Sequence, residues 1–235
     1  MFNKVITLTS SLLCVLLIVC QTEKDLESQK SIVNPGDIYG IDISHHQGDI
    51  DWTEVKTWNG HNIQFVYMKA TEGATHTDSK YAINLKEARE NNHKVGSYHY
   101  FRTTSSVKDQ FEHFKRVVDK DKQDLIPMVD LEENKGLSTR EFNNRVREFL
   151  DLVEGYYGKK PILYSTQRFY NTYLKNRYLN YYWSIGRYNT KKPYLLDANK
   201  WTLWQFSEKG KVDGIPKGVD INILNSEHEL KYLDL

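Results

Sequence analysis

Residues 126–134 read IPMVDLEEN, and the architecture follows from how that stretch is placed. Pro127 lies near its start, Met128 and Val129 are apolar, and Asp130, Leu131, Glu132 and Glu133 lie near its end. An apolar run that finishes in carboxylates predicts a buried strand whose C-terminal end reaches a polar site. Alternate residues of a strand project to one face, so Asp130 and Glu132 stand side by side, roughly 6–7 Å apart at Cα. Two carboxylates that close cannot both ionise freely, and one is expected to keep its proton towards neutral pH. A protonated acid beside an ionised carboxylate is the equipment for cutting a glycosidic bond. The plainer reading is a strand end with solvated charges. For an isolated D-x-E that reading wins, so the surrounding chain has to decide.

Outward from this stretch, short β-rich runs alternate with helical patterns. Strands are expected at Tyr39 to Ser44, Gln64 to Ala70, Val95 to Phe101, the 126–134 stretch and Pro161 to Tyr164. Between them, helices are expected at Asp51 to Trp58, where Asp51 and Glu54 have capping-box spacing, at Ser79 to Asn91, and at Ser106 to Val118. A fourth begins at Ser138, with a second capping box to Glu141 and a stripe of Phe142, Val146, Phe149, Leu150 and Val153. A fifth spans Thr166 to Leu174. Then the pattern changes: Tyr182 to Arg187, Thr202 to Phe206 and Gly218 to Ile221 read as strands with little helix between them. Strand–helix alternation implies parallel strands joined by right-handed crossovers. Eight strands predict an α/β fold in one domain, a closed TIM-like barrel whose last helices are lost or shrunken. An open doubly wound sheet is the alternative, but no Gly-rich phosphate loop follows the first strand.

The chain has 235 residues and a formal net charge of +1, which gives no electrostatic reason to expect a nucleic-acid partner. Its 16 Tyr and 5 Trp are an unusual content; core filling covers many of them, and Tyr and Trp also supply the flat faces and polar tips that line ligand clefts. Residues 1–20 read as an export signal: Lys4 supplies the positive start and Val5 to Val19 is mostly apolar but too short and interrupted for a membrane span. Both cysteines, Cys14 and Cys20, lie in this segment, so no disulfide is expected in the folded part. Cys20, followed by polar residues, resembles a lipoprotein signal, although Val19 stands where a small residue is usual. Lipid anchoring at Cys20 and simple secretion stay open, and localisation is expected at the cell envelope or outside it. Residues 21–36 read as a polar tether and 37–235 as the catalytic barrel. A monomer is expected.

Active sites of such barrels lie at the C-terminal strand ends. Those ends supply Asp42, Ser44, His45, His46 and Gln47 from the first strand, and Lys69, Thr71 and Glu72 from the second. The third supplies Tyr98, Tyr100 and Arg102, the fourth Asp130 and Glu132, and the fifth Tyr164 and Ser165. The last three supply Trp183 and Arg187, Trp204 and Gln205, and Asp220 and Asn222. Asp42 lies between Ile41 and Ile43 and therefore points away from their face. A buried acid there needs a partner. The adjacent His45 and His46 cannot share a strand face, and zinc-ligand spacing is absent, so neither a metal nor a cofactor is expected. Ser44 and Ser165 lack the nucleophile-elbow context. Singly, Trp183 and Trp204 suit a core and Arg187 a surface. Together the acids, amides and aromatics make one rim.

The motifs YGIDISHHQG, FVYMKATEG, GSYHYF, PMVDLEEN, ILYST and LWQFSEKGKVDGIPKGVDIN resemble, in order, the strand motifs of glycoside hydrolase family 25, the Chalaropsis-type lysozymes or N-acetylmuramidases. The resemblance spans Tyr39 to Ile223. It implies a modified (β/α)5(β)3 barrel and cleavage of the β-1,4 bond between N-acetylmuramic acid and N-acetylglucosamine in peptidoglycan glycan strands. It further implies Glu132 as general acid and Asp130 as the residue that orients the substrate's 2-acetamido group. Asp42, in D-x-S-x-x-Q-G, and Asp220, in V-D-x-N, complete the catalytic set. Tyr67, Tyr98, Tyr100, Tyr164, Trp183 and Trp204 are expected to shape the groove, with Glu72, Arg187 and Gln205 beside them. Ser184 to Tyr188 departs from the commoner Ala-x-Tyr pattern, which leaves the sixth-strand contacts open. A chitinase-like glycosidase and a catalytically silent wall-binding module are the alternatives. The longer D-x-x-D-x-D-x-E signature of the former is absent, and the intact D-x-E argues against the latter.

Overall fold

The computed structural model describes residues 36–235. The export-signal reading of 1–20, Cys20, and the tether except Gly36 lie outside the described residues. Eight strands make a closed ring: β1 Tyr39–Ile43, β2 His61–Glu72, β3 Lys94–Tyr100, β4 Met128–Asp130, β5 Ile162–Thr166, β6 Trp183–Gly186, β7 Leu203–Gly210 and β8 Val219–Leu224. Each pairs with the next, and β8 returns to β1. β1 to β7 are parallel, whereas β8 runs antiparallel to both neighbours. The reversal follows from length. Residues 211–218 are too few for a crossover helix, so β7 turns back as a hairpin.

Four helical connections cover the outside: α1 Tyr81–Glu90, α2 Val107–Val117, α3 Thr139–Tyr157, and α4 Gln167–Phe169, which runs on as a π-helical turn at Tyr170–Leu174. Ser138 caps α3 through the expected box with Glu141. The apolar stripe of α3 is fully buried against the sheet, with His99 of β3 stacked 4.9 Å from Phe149. The helix expected at Asp51 to Trp58 does not form. Asp51 takes the Thr53 amide at 3.1 Å and its hydroxyl at 2.6 Å, which closes an isolated turn. Thr57–Trp58 then pairs antiparallel with His61 and Asn62. Asn59 and Gly60 between them have φ of 47° and 79°. Two consecutive left-handed residues make the hairpin turn that Asn-Gly favours, and that local signal overrides the capping box.

Inside the ring, side chains stack in layers. Phe65, Tyr67, Leu125, Ile126, Met128, Ile162, Leu203 and Leu224 fill the lower half, and Leu233 from the C-terminal segment closes the floor. Gly96 makes room for Tyr67, since a Cβ there would sit 2.4 Å from the Tyr67 ring. The Tyr67 hydroxyl donates to the Ile126 carbonyl at 3.0 Å and ties β2 to the chain entering β4. Above this apolar floor the inward positions become polar, and the cavity begins.

Candidate active site

The D-x-S-x-x-Q run has a mechanical explanation. Directly after β1, His45–Gln47 forms a 3-10 turn capped by Ser44. The Ser44 amide donates to Gln47 Oε1 at 2.8 Å, and the His46 amide donates to Ser44 Oγ at 3.2 Å. Gln47 Nε2 then reaches the Gly218 carbonyl at 3.0 Å, one residue before β8. The turn therefore fixes where β8 starts, and with it Asp220. Asp42 and Asp220 are register partners across the β1–β8 ladder. Because β8 is reversed, Asp220 reaches the rim from the beginning of its strand and not from its C-terminal end, the place the all-parallel reading assigns it.

Asp42, Asp130, Glu132 and Asp220 line one cavity of about 140 Å³ together with Tyr67, Tyr98, Tyr164 and Gln205. Met128, Ser184, Tyr188 and Asn222 complete the wall. Asp130 and Glu132 share a face as the alternation requires, although Glu132 lies just past the end of β4. The chain there stays in register: the Leu131 amide donates to the Tyr164 carbonyl at 2.9 Å, and Ser165 Oγ donates to the Leu131 carbonyl at 2.8 Å.

Two acid pairs result, with different supports. Asp42 Oδ2 accepts Gln205 Nε2 at 2.7 Å and Asn222 Nδ2 at 2.8 Å. Gln205 is itself oriented by the Tyr164 and Tyr188 hydroxyls, which donate to its Oε1 at 2.7 and 2.8 Å. Burial pushes Asp42 upward against these bonds. Burial, the Asp42 charge and a hydrogen bond to Asp42 push Asp220 up to about 9. Asp220 thus keeps the proton of that pair and donates it to Asp42. Asp130 lacks such support. It is 7% exposed, and its Oδ1 has no hydrogen-bond partner among the described residues. Burial and the neighbouring Glu132 raise it well above the usual carboxylate range. Burial and the Asp42 charge raise Glu132 as well. Burial thus biases all four acids towards their protonated forms.

One flank is an alternating chain of charge. Lys69 Nζ donates to Glu72 Oε2 at 2.6 Å, Arg102 Nε donates to Glu72 Oε1 at 2.9 Å, and Arg102 also bonds Glu133. Burial alone would raise Glu72, but Lys69 and Arg102 overcome it and hold its carboxyl at about 2. Arg102 and Lys69 both lie over the Tyr100 ring, at 4.6 and 5.2 Å.

Several expected groove residues lie elsewhere. Glu72 and Tyr100 belong to this charged flank and do not line the cavity. Trp183 and Trp204 are buried outside the ring: Trp183 meets Tyr170 edge-on at 4.6 Å, and Trp204 Nε1 donates to the Arg187 carbonyl at 2.9 Å. The reason is parity. Ser184 and Gln205 face inward, so the residue before each must face outward. Arg187 is likewise outside, bonded to Gln167 Oε1 and the Lys192 carbonyl at 2.9 Å each. Met128, Ser184 and Tyr188 were not among the expected site residues. Strand parity could have found the first two. Tyr188 comes from an irregular connection and has no local signal.

A parallel barrel closed by one reversed strand, with four acids gathered in one cavity at its mouth, has the carboxyl equipment of a glycoside hydrolase. The chain belongs to glycosyl hydrolases family 25, whose sequence model matches residues 41–215. It is 39% identical over 194 residues, 82% of this chain and 71% of the other, to the uncharacterized protein YegX of Escherichia coli K12. It is 32% identical over 183 residues to the autolytic lysozyme of Clostridium acetobutylicum, covering 78% of this chain and 54% of that protein. Among solved structures, a family 25 glycosyl hydrolase from Bacillus anthracis is similar with TM-score 0.73 and 35% identity, covering 81% of this chain and 90% of that one. The lysozyme of Streptomyces coelicolor is similar with TM-score 0.74 and 26% identity over 85% and 96% of the two chains.

Proposed function

We propose that the protein is an exported muramidase that hydrolyses the β-1,4 bond between N-acetylmuramic acid and N-acetylglucosamine in peptidoglycan. Kinship with lysozymes supports the substrate class. The observation that carries the residue assignment is that Asp130, a buried carboxyl with one oxygen lacking any hydrogen-bond partner among the described residues, lines the same cavity as Glu132. A buried carboxylate oxygen without a donor is costly, and an acetamido N–H is a donor of the right kind. That bond stabilises the Asp130 anion and leaves the shared proton on Glu132. It also turns the acetamido carbonyl oxygen towards the anomeric carbon. Glu132 then gives its proton to the leaving glycosidic oxygen as that C–O bond breaks and the acetamido oxygen bonds the anomeric carbon; water, giving a proton back to Glu132, then displaces the acetamido oxygen and completes hydrolysis. Asp42 and Asp220 shape the potential beneath the sugar, and Tyr67, Tyr98 and Tyr164 wall the groove. The segment 1–20 directs export, with Cys20 as the anchor if the mature protein is lipidated.

The test uses purified peptidoglycan and counts new reducing ends. Glu132→Gln is expected to lower the rate at least a hundredfold with the fold intact, and mass spectrometry of the wild-type products should find muramic acid at the reducing end. Full activity in Glu132→Gln overturns the assignment. N-acetylglucosamine at the reducing end overturns the bond choice.

A further inference from the structure

Lys69 is an ammonium set where solvent hardly reaches it, with its side chain only 12% exposed. A buried lysine is costly unless paired. Its partner Glu72, at 2.6 Å, is shared with Arg102, so the pair is part of a clamp and not a simple neutralisation. Lys69 also stands 5.2 Å above the Tyr100 ring, and Tyr100 is the register partner of Asp130. Its own register partner is Tyr98, which lines the cavity. The strand carrying Lys69 is therefore two strands from the one carrying the acid pair, with β3 and its Tyr98 and Tyr100 between them.

We propose that Lys69 is a positioning residue for catalysis, supplying from β2 the positive charge that faces the Asp130–Glu132 pair across β3. The inference rests on the roles given to that pair above. The charged and titratable groups around Lys69 are His46 from the turn after β1, Glu72 on its own strand, Tyr100 and Arg102 from β3 and its end, and Asp130 and Glu132 from β4 and its end, with His99 of β3 on the outer face of the sheet. The Lys69 charge lowers both acids of the pair against burial and mutual repulsion, and the Glu72 charge raises Asp130. Lys69 and Glu72 thus act in opposite senses on Asp130, and Lys69 acts on Glu132 as well. Arg102, locked between Glu72 and Glu133, holds the chain next to Glu132 in place.

Opposite senses give a test with a sign. The pH dependence of kcat/KM on soluble glycan strands is measured for the wild type, Lys69→Met, Lys69→Arg and Glu72→Gln, with folding checked by circular dichroism. In Lys69→Met both acids lose that positive charge and hold their protons to higher pH, so both limbs of the profile move up by about half a pH unit or more. Lys69→Arg keeps the wild-type profile. In Glu72→Gln the positive charge is no longer offset, and the acid limb moves down. If Lys69→Met folds poorly, the downward shift of Glu72→Gln decides alone. A Glu72→Gln profile that is unshifted or moves upward overturns the inference, as does a folded Lys69→Met with wild-type limbs. Glu132→Gln is run alongside. Its full activity refutes the acid assignment itself, whereas an inactive Glu132→Gln with unshifted Lys69 and Glu72 profiles refutes only the role of Lys69.

Discussion

Asp220→Asn should make the protein more stable and less active, by an amount that depends on pH. The Asp220 carboxyl is pushed from its ordinary 3.8 to about 9 by burial and by the Asp42 charge. The folded protein keeps that proton at pH 7, while the unfolded chain has released it. For an acid raised in this way the associated stability is complete below about pH 4 and is lost as pH rises towards 9. At 1.36 kcal/mol per pH unit the loss between pH 3.8 and pH 7 has a ceiling of about 4 kcal/mol. Asp220 is only partly buried, and solvent screening brings the expected figure to about 2 kcal/mol. An amide in its place keeps an N–H to donate to Asp42 and has no proton to lose. Guanidinium denaturation at pH 4, 5.5, 7 and 8.5 reads the difference. The variant should match the wild type at pH 4 and lead it by about 2 kcal/mol at pH 7, with hydrolysis of peptidoglycan much reduced. A lead that is equal at pH 4 and pH 7 would mean the proton plays no part and would refute the shared-proton account of the Asp42–Asp220 pair.

Two further outcomes test the scaffold beneath the site. Gly186→Ala places a Cβ 2.5 Å from the Tyr164 hydroxyl and 3.3 Å from Gln205 Oε1, so it should break the bond that orients Gln205 onto Asp42. Turnover is expected to fall at least about tenfold, with about 1–3 kcal/mol lost in denaturant titration; unchanged turnover would show that Gln205 needs no such support. Leu233→Ala removes the fully buried side chain that closes the barrel floor, beside the Leu233 carbonyl that accepts the Ile126 amide at 2.8 Å. A loss of about 3 kcal/mol with kcat/KM preserved below the melting point is expected, and calorimetry with a parallel activity assay checks both halves.

Much of this was legible along the chain because it is local. The stripe on α3 and its Ser138–Glu141 box depend on residues three and four apart. The pairing of Asp130 and Glu132 on one face depends only on the two-residue period of a strand. Local signals also compete, and at residues 51–58 the Asn-Gly hairpin prevailed over a capping box. Reading both Trp204 and Gln205 into the groove ignored that same period, and the structure separates them onto opposite faces of β7.

The sequence alone determined the strand count, the helices from α1 onward and the acids that share the rim, since each rests on composition and spacing within a few residues. Tertiary structure alone decided which of those acids have partners. The reversal of β8 brings Asp220 against Asp42, the ring closure brings Gln205 and Asn222 to the same carboxylate, and the connection after β6 delivers the Tyr188 hydroxyl. These contacts join residues up to 180 positions apart. A carboxyl's proton affinity is set by burial and by the charges and donors around it, and none of these is a property of its neighbours in the chain.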